Sequence, residues 1–284
     1  MISIVQLGTL DYATALRLQQ QLIALRKEEK ISDVLLLLEH KPVITLGRKA
    51  KAANVVASPE LLNQRGVELF ECDRGGDVTF HGPGQIVGYP IFDLRRVCAD
   101  ASSAKDGKRK AIGVIEFVRR LEDVLMRTCA DYGIPSKRLQ GLTGVWTDPR
   151  PGADHVGTAA LGRPVEQSST ASESKLAAIG IHISRFVTSH GFALNVNTDL
   201  TYFNLIIPCG ITSRPVTSMQ QQLGRELDLN AVAASISRNF GVVFHTQMLW
   251  VDTLDALLGR SVGVPMKPPG ELRQLHKEDE TTWS

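Results

Sequence analysis

Apolar and polar positions in the first part of the chain switch between the spacings of strands and helices. Residues 2–7 and the continuous apolar run at residues 34–38 are typical of strands, and the second is typical of a strand buried on both faces. Between them, residues 11–29 place apolar side chains with partial helical periodicity. Residues 43–46 resume an extended pattern. The pattern predicts strand–helix–strand–strand.

Capping signals place the next elements. Ser58 before Pro59 is a favourable helix start, with serine as N-cap and proline at the first helical position, and Gly66 ends that helix. Residues 67–72 and 86–94 are predicted strands. Residues 111–131 form the strongest predicted helix, because apolar side chains recur along one side before a Gly-Ile-Pro stop.

The second half shows two strand patterns, at residues 176–184 and 190–196. Helices are predicted near 229–240, with Asp228 as N-cap, and near 250–258. Residues 99–110 are polar and irregular.

These elements predict an α+β fold: one domain with a mixed central β-sheet flanked by helices. We place the domain at residues 1–245, with a mobile loop at 147–174 that is rich in Pro, Gly and Ser. Residues 246–284 are predicted to form a C-terminal extension, partly disordered after residue 264.

Composition excludes several classes of protein. Of the 284 residues, 43% are hydrophobic and 22% charged, which is typical of a globular enzyme. The net charge of +2 is too near neutral to indicate nucleic-acid or membrane binding, and we expect neither. Because no apolar run reaches about 18 residues and the first residues lack a signal-peptide pattern, we expect a cytoplasmic protein. The four cysteines have no CxxC spacing, so we expect reduced thiols and no metal site.

The most informative run is residues 74–85, Arg-Gly-Gly-Asp-Val-Thr-Phe-His-Gly-Pro-Gly-Gln. Glycines on both sides of a short strand pattern let the backbone approach a ligand closely, and the arginine and histidine supply charge and hydrogen bonds. A lone Gly-Pro-Gly would favour a tight hairpin turn, but the full run of twelve residues is much more specific.

Among the cysteines, Cys209 stands out because it lies between a proline and a glycine just after an apolar run. Such a position presents a thiol at a turn, although turn cysteines are often structural. Cys72 and Cys129 are predicted to be buried and inert, and Cys98 borders a polar segment without an activating neighbour.

Lys175 leads directly into an otherwise apolar strand. A lysine at the edge of a strand commonly extends its amine to water. The alternative is an ammonium group beside a thiol, where it would favour the thiolate and exchange a proton.

Four blocks together, in this order, resemble the lipoyl(octanoyl) transferase family over about residues 30–225. They are residues 39–48 (Glu-His-Lys-Pro-Val-Ile-Thr-Leu-Gly-Arg), the 74–85 run, residues 175–180 with 190–195, and residues 208–211 (Pro-Cys-Gly-Ile). Lys41 stands where a small or apolar residue is commoner, the 147–174 segment looks longer than usual, and the tail extends past the shared blocks.

The resemblance implies the fold of the biotin/lipoyl protein ligase catalytic domain, with Cys209 as the acyl-accepting nucleophile and Lys175 as its partner. It also implies a substrate pocket that contains small residues, which leave room for an eight-carbon chain whose burial contributes about 0.8 kcal/mol per CH₂. The implied pocket residues are Arg74, Gly75, Gly76, Asp77, Val78, Thr79, Phe80, His81, Ala178, Ile179, Gly180, Gly191, Phe192 and Ala193.

The implied reaction moves an octanoyl group from octanoyl-acyl carrier protein onto a lysine of a lipoyl domain, without a cofactor or metal. The implied acceptors are the E2 subunits of 2-oxoacid dehydrogenases and the glycine cleavage H protein. One alternative is an ATP-dependent lipoate-protein ligase, but the three consecutive glycines of its signature are reduced here to Gly75 and Gly76. A second alternative is a non-catalytic acyl-binding module, against which the presence of both Lys175 and Cys209 argues.

Overall fold

A computed structural model of the chain describes residues 1–97, 111–148, 173–210, 214–251 and 254, with the main chain alone at Cys209. The described residues form eleven strands in two sheets. In chain order the strands are β1 (Ile2–Leu10), β2 (Asp33–His40), β3 (Val43–Leu46), β4 (Glu68–Glu71), β5 (Val78–His81), β6 (Gln85–Ile91), β7 (Ser136–Leu139), β8 (Leu142–Thr147), β9 (Lys175–Ser184), β10 (Val187–Asn195) and β11 (Met248–Trp250).

The large sheet is mixed, with the order β11-β1-β2-β6-β10-β9-β8-β7. Its β1 strand is parallel to both of its neighbours, and all other adjacent pairs are antiparallel. A smaller sheet of three strands has the order β4-β3-β5. The α+β fold with a large central sheet and flanking helices is confirmed.

Side-chain hydrogen bonds mark the starts of most helices. The helices are α1 (Tyr12–Lys27), α2 (Pro59–Gln64), α3 (Val114–Asp131), α4 (Met219–Leu223) and α5 (Leu229–Phe244). Asp11, Ser58 and Asp228 each accept a backbone N–H of the first turn, as their sequence positions indicated for Ser58 and Asp228.

Strand alternation gives the large sheet two apolar faces. On one face, Leu35 and Leu37 of β2 pack in a core with Phe117 of α3 and Phe240 of α5. On the other face, Leu36 of β2 and its alternating neighbours pack in a core with side chains of α1. The smaller sheet has its own core, which includes Ile44, Val78 and Phe80.

Several predicted boundaries differ from the structure. β7 and β8 were not predicted, and α5 continues to Phe244 instead of ending near residue 240. Trp250 lies in β11, which pairs with β1, so the sheet extends past the predicted domain boundary at 245. The predicted mobile loop falls mostly outside the described residues, as do the 99–110 segment, most of the 250–258 helix and the tail.

Among the residues that the structure describes, none of the helices combines the length and the hydrophobicity that a membrane crossing requires.

Candidate active site

A cleft of about 480 Å³, counting the solvent at its mouth, lies between the two sheets. Its floor is formed by β6, β9 and β10 of the large sheet, and its roof by β5 and the loop before it. The lining residues are Tyr12, Arg74, Gly75, Gly76, Asp77, Thr79, His81, Val87, Tyr89, Ala178, Ile179, Gly180, His190, Gly191, Phe192 and Ala193.

The floor is made of small residues at matched positions of two strands. Ala178 pairs with Ala193, and Gly180 pairs with Gly191. A Cβ atom on Gly180 would lie 2.7 Å from the backbone oxygen of Gly75 in the roof, so only glycine allows the two walls to approach this closely. The cleft is thus shaped by main chain and by methyl groups.

Because side chains alternate along β9 and β10, two of the predicted floor residues place their side chains on the other face of the sheet. Ile179 and Phe192 border the cleft, but their side chains pack in the core on the opposite face of the sheet, with α3 and α5. Ala178, Gly180, Gly191 and Ala193 leave the space that the cleft occupies.

Arg74 holds the roof together from a buried position. Its guanidinium donates to the backbone oxygen and the hydroxyl of Thr45 at 2.7–3.1 Å, and to the backbone oxygen of Gly75 at 3.1 Å. No carboxylate among the described residues lies within ion-pair distance of it. The roof therefore carries a positive charge that is compensated by carbonyl and hydroxyl dipoles.

The strand β5 presents alternate residues to the cleft. Thr79 and His81 line it, whereas Val78 and Phe80 point into the core of the smaller sheet. Phe80 stacks on Tyr202 with ring centroids 4.7 Å apart. Val78 and Phe80 therefore do not line this cleft, because a strand presents only every second side chain to one face. Their predicted contact with substrate stays a prediction.

His81 is a neutral imidazole with a defined tautomer. Burial, together with the nearby His40 and Arg74, lowers its pKa to about 3, and the hydrogen bond to Gln85 opposes only part of that shift. Gln85 donates its amide N–H groups to Phe80 O and Asn195 Oδ1, so its Oε1 accepts from His81 Nδ1 at 2.8 Å. The remaining ring nitrogen of His81 is then a hydrogen-bond acceptor.

His190 closes another part of the cleft and was not predicted as a pocket residue. It has a φ of 55°, unusual for a residue other than glycine, and its backbone N–H donates to Gln19 Oε1. Its Nε2 lies 2.6 Å from Asp73 Oδ1. Burial lowers the pKa of His190, and Asp73 partly opposes that shift.

Lys175 and the turn that carries Cys209 meet at a smaller cavity beside the cleft. Lys175 and Pro208 both line it, and it shares Thr79, Ala178 and Ala193 with the cleft. Lys175 is buried, and its Nζ lies 5.0 Å from the centroid of the Trp146 ring. Of the two interpretations of Lys175, burial argues against the strand-edge amine extended into water.

The chain after the Cys209 turn returns to the lysine strand. The backbone N–H of Lys175 donates to Pro215 O at 2.9 Å, and its backbone oxygen accepts from Thr217 at 3.0 Å. These bonds hold residues 215–217 beside the start of β9, a few residues after the turn at Pro208–Gly210.

The other described cysteines differ from each other. Cys129 is fully buried in α3, and burial raises its pKa to about 12, as expected for an inert thiol. Cys72 is half-buried, and its Sγ donates to Leu46 O at 3.4 Å. Cys98 and the side chain of Cys209 lie outside the described part of the chain.

Two further pocket residues, Tyr12 and Tyr89, were also not predicted from the sequence. Tyr12 is the first residue of α1, and Tyr89 lies in β6, where its hydroxyl bonds to His40 Nε2 at 2.7 Å. Each looks like an ordinary core aromatic in sequence, so only the packing reveals its place. Within the described ranges, no group of three or more His, Cys, Asp or Glu residues could hold a metal ion.

Comparison with known proteins agrees with this geometry. The family described as lipoyl protein ligase A/B catalytic domain matches residues 11–241. An octanoyltransferase of Koribacter versatilis is 54% identical over 279 residues, which cover 98% of each chain. An octanoyltransferase of Acidobacterium capsulatum is 49% identical, and the match covers 90% of this chain and 96% of that one.

Solved structures support the fold alone, because their sequence identity is low. A bipartite lipoate protein ligase from Thermoplasma acidophilum superimposes with a TM-score of 0.60 at 14% identity, covering 92% of this chain and 91% of that one. A lipoate-protein ligase A bound with ATP gives a TM-score of 0.58 at 12% identity, with 98% and 93% covered. Together with the family match and the close relatives, these results show that the chain belongs to the octanoyltransferase family and has the lipoyl protein ligase A/B catalytic domain.

Proposed function

We propose that the protein transfers an octanoyl group from octanoyl-acyl carrier protein, through a thioester on Cys209, to the ε-amine of a lysine on a lipoyl domain. The acceptors would be lipoyl domains of 2-oxoacid dehydrogenase E2 subunits and the glycine cleavage H protein. The observation that carries the proposal is the pairing of two cavities. One is bordered by Lys175 and Pro208, and the adjoining cleft is lined by small residues.

The dimensions of the floor support an acyl chain in the cleft. Gly180 lies five residues after Lys175 along β9, a distance of roughly 16 Å in an extended strand. At Gly180 the backbone of Gly75 closes on the floor. The proposal places an extended eight-carbon chain between the reactive end and this closure, with its methylenes against Ala178 and Ala193. Burial of each methylene contributes about 0.8 kcal/mol.

In the first half-reaction, the Cys209 thiolate attacks the carbonyl carbon of the donor thioester. The new C–S bond forms as the bond to the carrier's sulfur breaks, and the carrier leaves as a thiol after taking up a proton. A positively charged Lys175 favours the attacking thiolate. Because one thioester replaces another, the free-energy change of this step is close to zero.

In the second half-reaction, the neutral amine of the acceptor lysine attacks the acyl-enzyme. An amide bond forms, Cys209 leaves as a thiolate, and the amine proton passes to a basic group. Lys175, having given its proton to the leaving carrier thiol, is the group assigned to accept it. Amide formation from a thioester drives the sequence forward without ATP.

Intact-protein mass spectrometry after mixing with octanoyl-carrier protein tests the proposal. The parent protein should gain the mass of one octanoyl group, released by a lipoyl-domain acceptor. Cys209→Ser should abolish the thioester adduct, whereas Cys72→Ser, Cys98→Ser and Cys129→Ser should retain it. Normal octanoyl transfer by Cys209→Ser would show that Cys209 is not the nucleophile.

Lys175→Met keeps most of the side-chain volume and removes the charge. We expect the apparent pKa of Cys209, measured by iodoacetamide alkylation against pH, to rise in this variant towards the value of about 8.5 for a free thiol. The rate of transfer should fall with it. An unchanged alkylation profile and full transfer activity in Lys175→Met would show that Lys175 neither lowers the pKa of Cys209 nor transfers a proton.

The two alternatives predict different results. An ATP-dependent ligase would catalyse octanoate-dependent exchange between ATP and pyrophosphate, and we expect none. A non-catalytic module would bind the octanoyl donor without forming any adduct.

A further inference from the structure

We infer that Asp77 and Asn54 are positioning residues that hold the Cys209 turn, here called the Asp77–Asn54 clasp. The inference rests on the proposed role of Cys209 and concerns how its backbone is held. It gives Asp77 a function other than contact with the acyl chain, which its place in the 74–85 run had suggested.

The carboxylate of Asp77 is fully engaged by the protein. Its Oδ1 accepts the backbone N–H of Val78 at 2.7 Å and that of Lys51 at 3.2 Å. Its Oδ2 accepts from Asn54 Nδ2 at 2.6 Å. Both oxygens therefore connect the loop of residues 47–54 to the roof of the cleft. The main partners of both oxygens are groups of the protein, and not the substrate.

Asn54 connects this loop to the segment before Cys209. It is buried, and its backbone oxygen accepts the N–H of Ile207 at 2.7 Å. The contact continues from there in one direction: Val55 forms a β-bridge with Ile206, and the N–H groups of Val56 and Ala57 donate to Leu205 O at 3.0 and 3.1 Å. The side chain of Asn54 thus faces the roof while its main chain holds residue 207.

Gly210 lies directly against the clasp on the other side of Cys209. Its φ is +66°, and a Cβ atom there would lie 3.0 Å from Asp77 Oδ2 and 3.3 Å from Asn54 Nδ2. The turn is therefore held before Cys209 by the hydrogen bond from Ile207 to Asn54, and after Cys209 it packs against the clasp. A shift of Asn54 or Asp77 must move the main chain that carries the nucleophile.

Exchange of the two groups tests the clasp. In Asn54→Asp, two carboxylates lie opposite each other. In Asp77→Asn, two amides lie opposite each other. The double variant Asn54→Asp/Asp77→Asn restores one donor and one acceptor in reversed order. Its amide at position 77 can donate to the carboxylate at position 54, and the amide oxygen can still accept from Val78 and Lys51. Asn63→Asp makes the same chemical change at an exposed position of α2 and is the matched control.

Two rates are measured on protein shown to be folded by circular dichroism at the assay temperature: acylation of Cys209 by octanoyl-carrier protein and its alkylation by iodoacetamide. We expect each single variant to lose acylation by about 10- to 100-fold, the range that a misplacement near 1 Å produces. The double variant should recover most of the rate, and Asn63→Asp should match the parent.

The pH profile of Asn54→Asp gives a second readout that lost stability alone would not produce. Two facing carboxylates share a proton as pH falls, and the protonated one can donate to the other. The rate of this variant relative to the parent should therefore rise as pH is lowered. This comparison decides the question even if Asp77→Asn does not fold.

Full acylation and alkylation rates in the folded single variants would overturn the clasp. Equal losses in the single and double variants would overturn it as well, because donor–acceptor complementarity would then not matter. A parent protein that takes no octanoyl group refutes the proposed function instead, and the alkylation rates still decide the clasp.

Discussion

The floor and the roof of the cleft are built by different kinds of interaction. The floor belongs to the eight-stranded sheet, where β10 pairs with β9 over residues 187–194 and with β6 over residues 192–195. The roof belongs to a sheet of three short strands, and its loop is held by the side chains of Arg74 and Asp77. A backbone ladder therefore sets one wall, and a few polar side chains set the other.

This difference separates two properties of the site. Changes in the floor alter the volume for the acyl chain, because the ladder keeps the strands in register whatever small side chain they carry. Changes in the roof alter the position of whole loops, because one side chain there satisfies several backbone groups. We expect roof variants to affect stability and all donors, and floor variants to affect donors by chain length.

The largest effect is expected for Arg74→Met in the roof. The substitution removes the bond that the guanidinium donates to the carbonyl of Thr45, and hydrogen bonds to charged groups contribute about 1.5–3 kcal/mol each. We expect the free energy of unfolding, measured by urea denaturation, to fall by about 3 kcal/mol, and donors of all chain lengths to suffer alike.

Arg74→Lys is the control for charge. Lysine keeps the positive charge but cannot reproduce the fork of donors, so it should recover only part of the stability. Full recovery by lysine would show that charge, and not the hydrogen-bond geometry, holds the roof.

An intermediate effect is expected for Ala178→Leu in the floor. Overpacking commonly costs about 1–3 kcal/mol, and the added side chain would occupy the space proposed for the acyl chain. The rate with octanoyl donors should fall more than the rate with butanoyl donors. Ile179→Leu, on the opposite face of the same strand, should not change this preference.

Equal losses for butanoyl and octanoyl donors with Ala178→Leu would place the acyl chain elsewhere and remove the distinction between the two walls.

The smallest effect concerns one histidine in each sheet. Burial lowers the pKa of His81 in β5 to about 3 and that of His40 in β2 to about 4, from 6.5 in each case. Between pH 7 and pH 6 the unfolded chain takes up protons at these sites and the folded protein does not. Stability therefore falls as pH is lowered, by about 0.7 kcal/mol per histidine over that unit.

His81→Asn and His40→Asn remove one titrating group each, so each should reduce this pH dependence by the same amount, measured by denaturation at the two pH values. The slopes are compared, because the baseline stability of His40→Asn also loses a bond to Tyr89. An unchanged slope for either variant would mean that the histidine takes up a proton equally in both states.

Prediction from sequence worked best where the signal was local. The N-caps Ser58 and Asp228, the buried strand β2 and the helix α3 each depend on residues that are close in the chain, and all were found. β7 and β8 were missed because their short, partly polar patterns resemble loops. The sequence did not show which strands belong to the three-stranded sheet, because the pattern of a strand does not indicate which strands it pairs with.

The sequence alone determined the α+β class, the family and the candidate groups, because glycine-rich runs, caps and apolar periodicity act over a few residues. Only the tertiary structure decided which side of β5 faces the cleft, that Lys175 is buried beside Trp146, and that Tyr12 and His190 complete the walls. It also joined Asn54, Asp77 and Gly210, which lie far apart in the chain. The physical reason is that strand register and sheet packing set distances between residues remote in sequence, and no local preference encodes them.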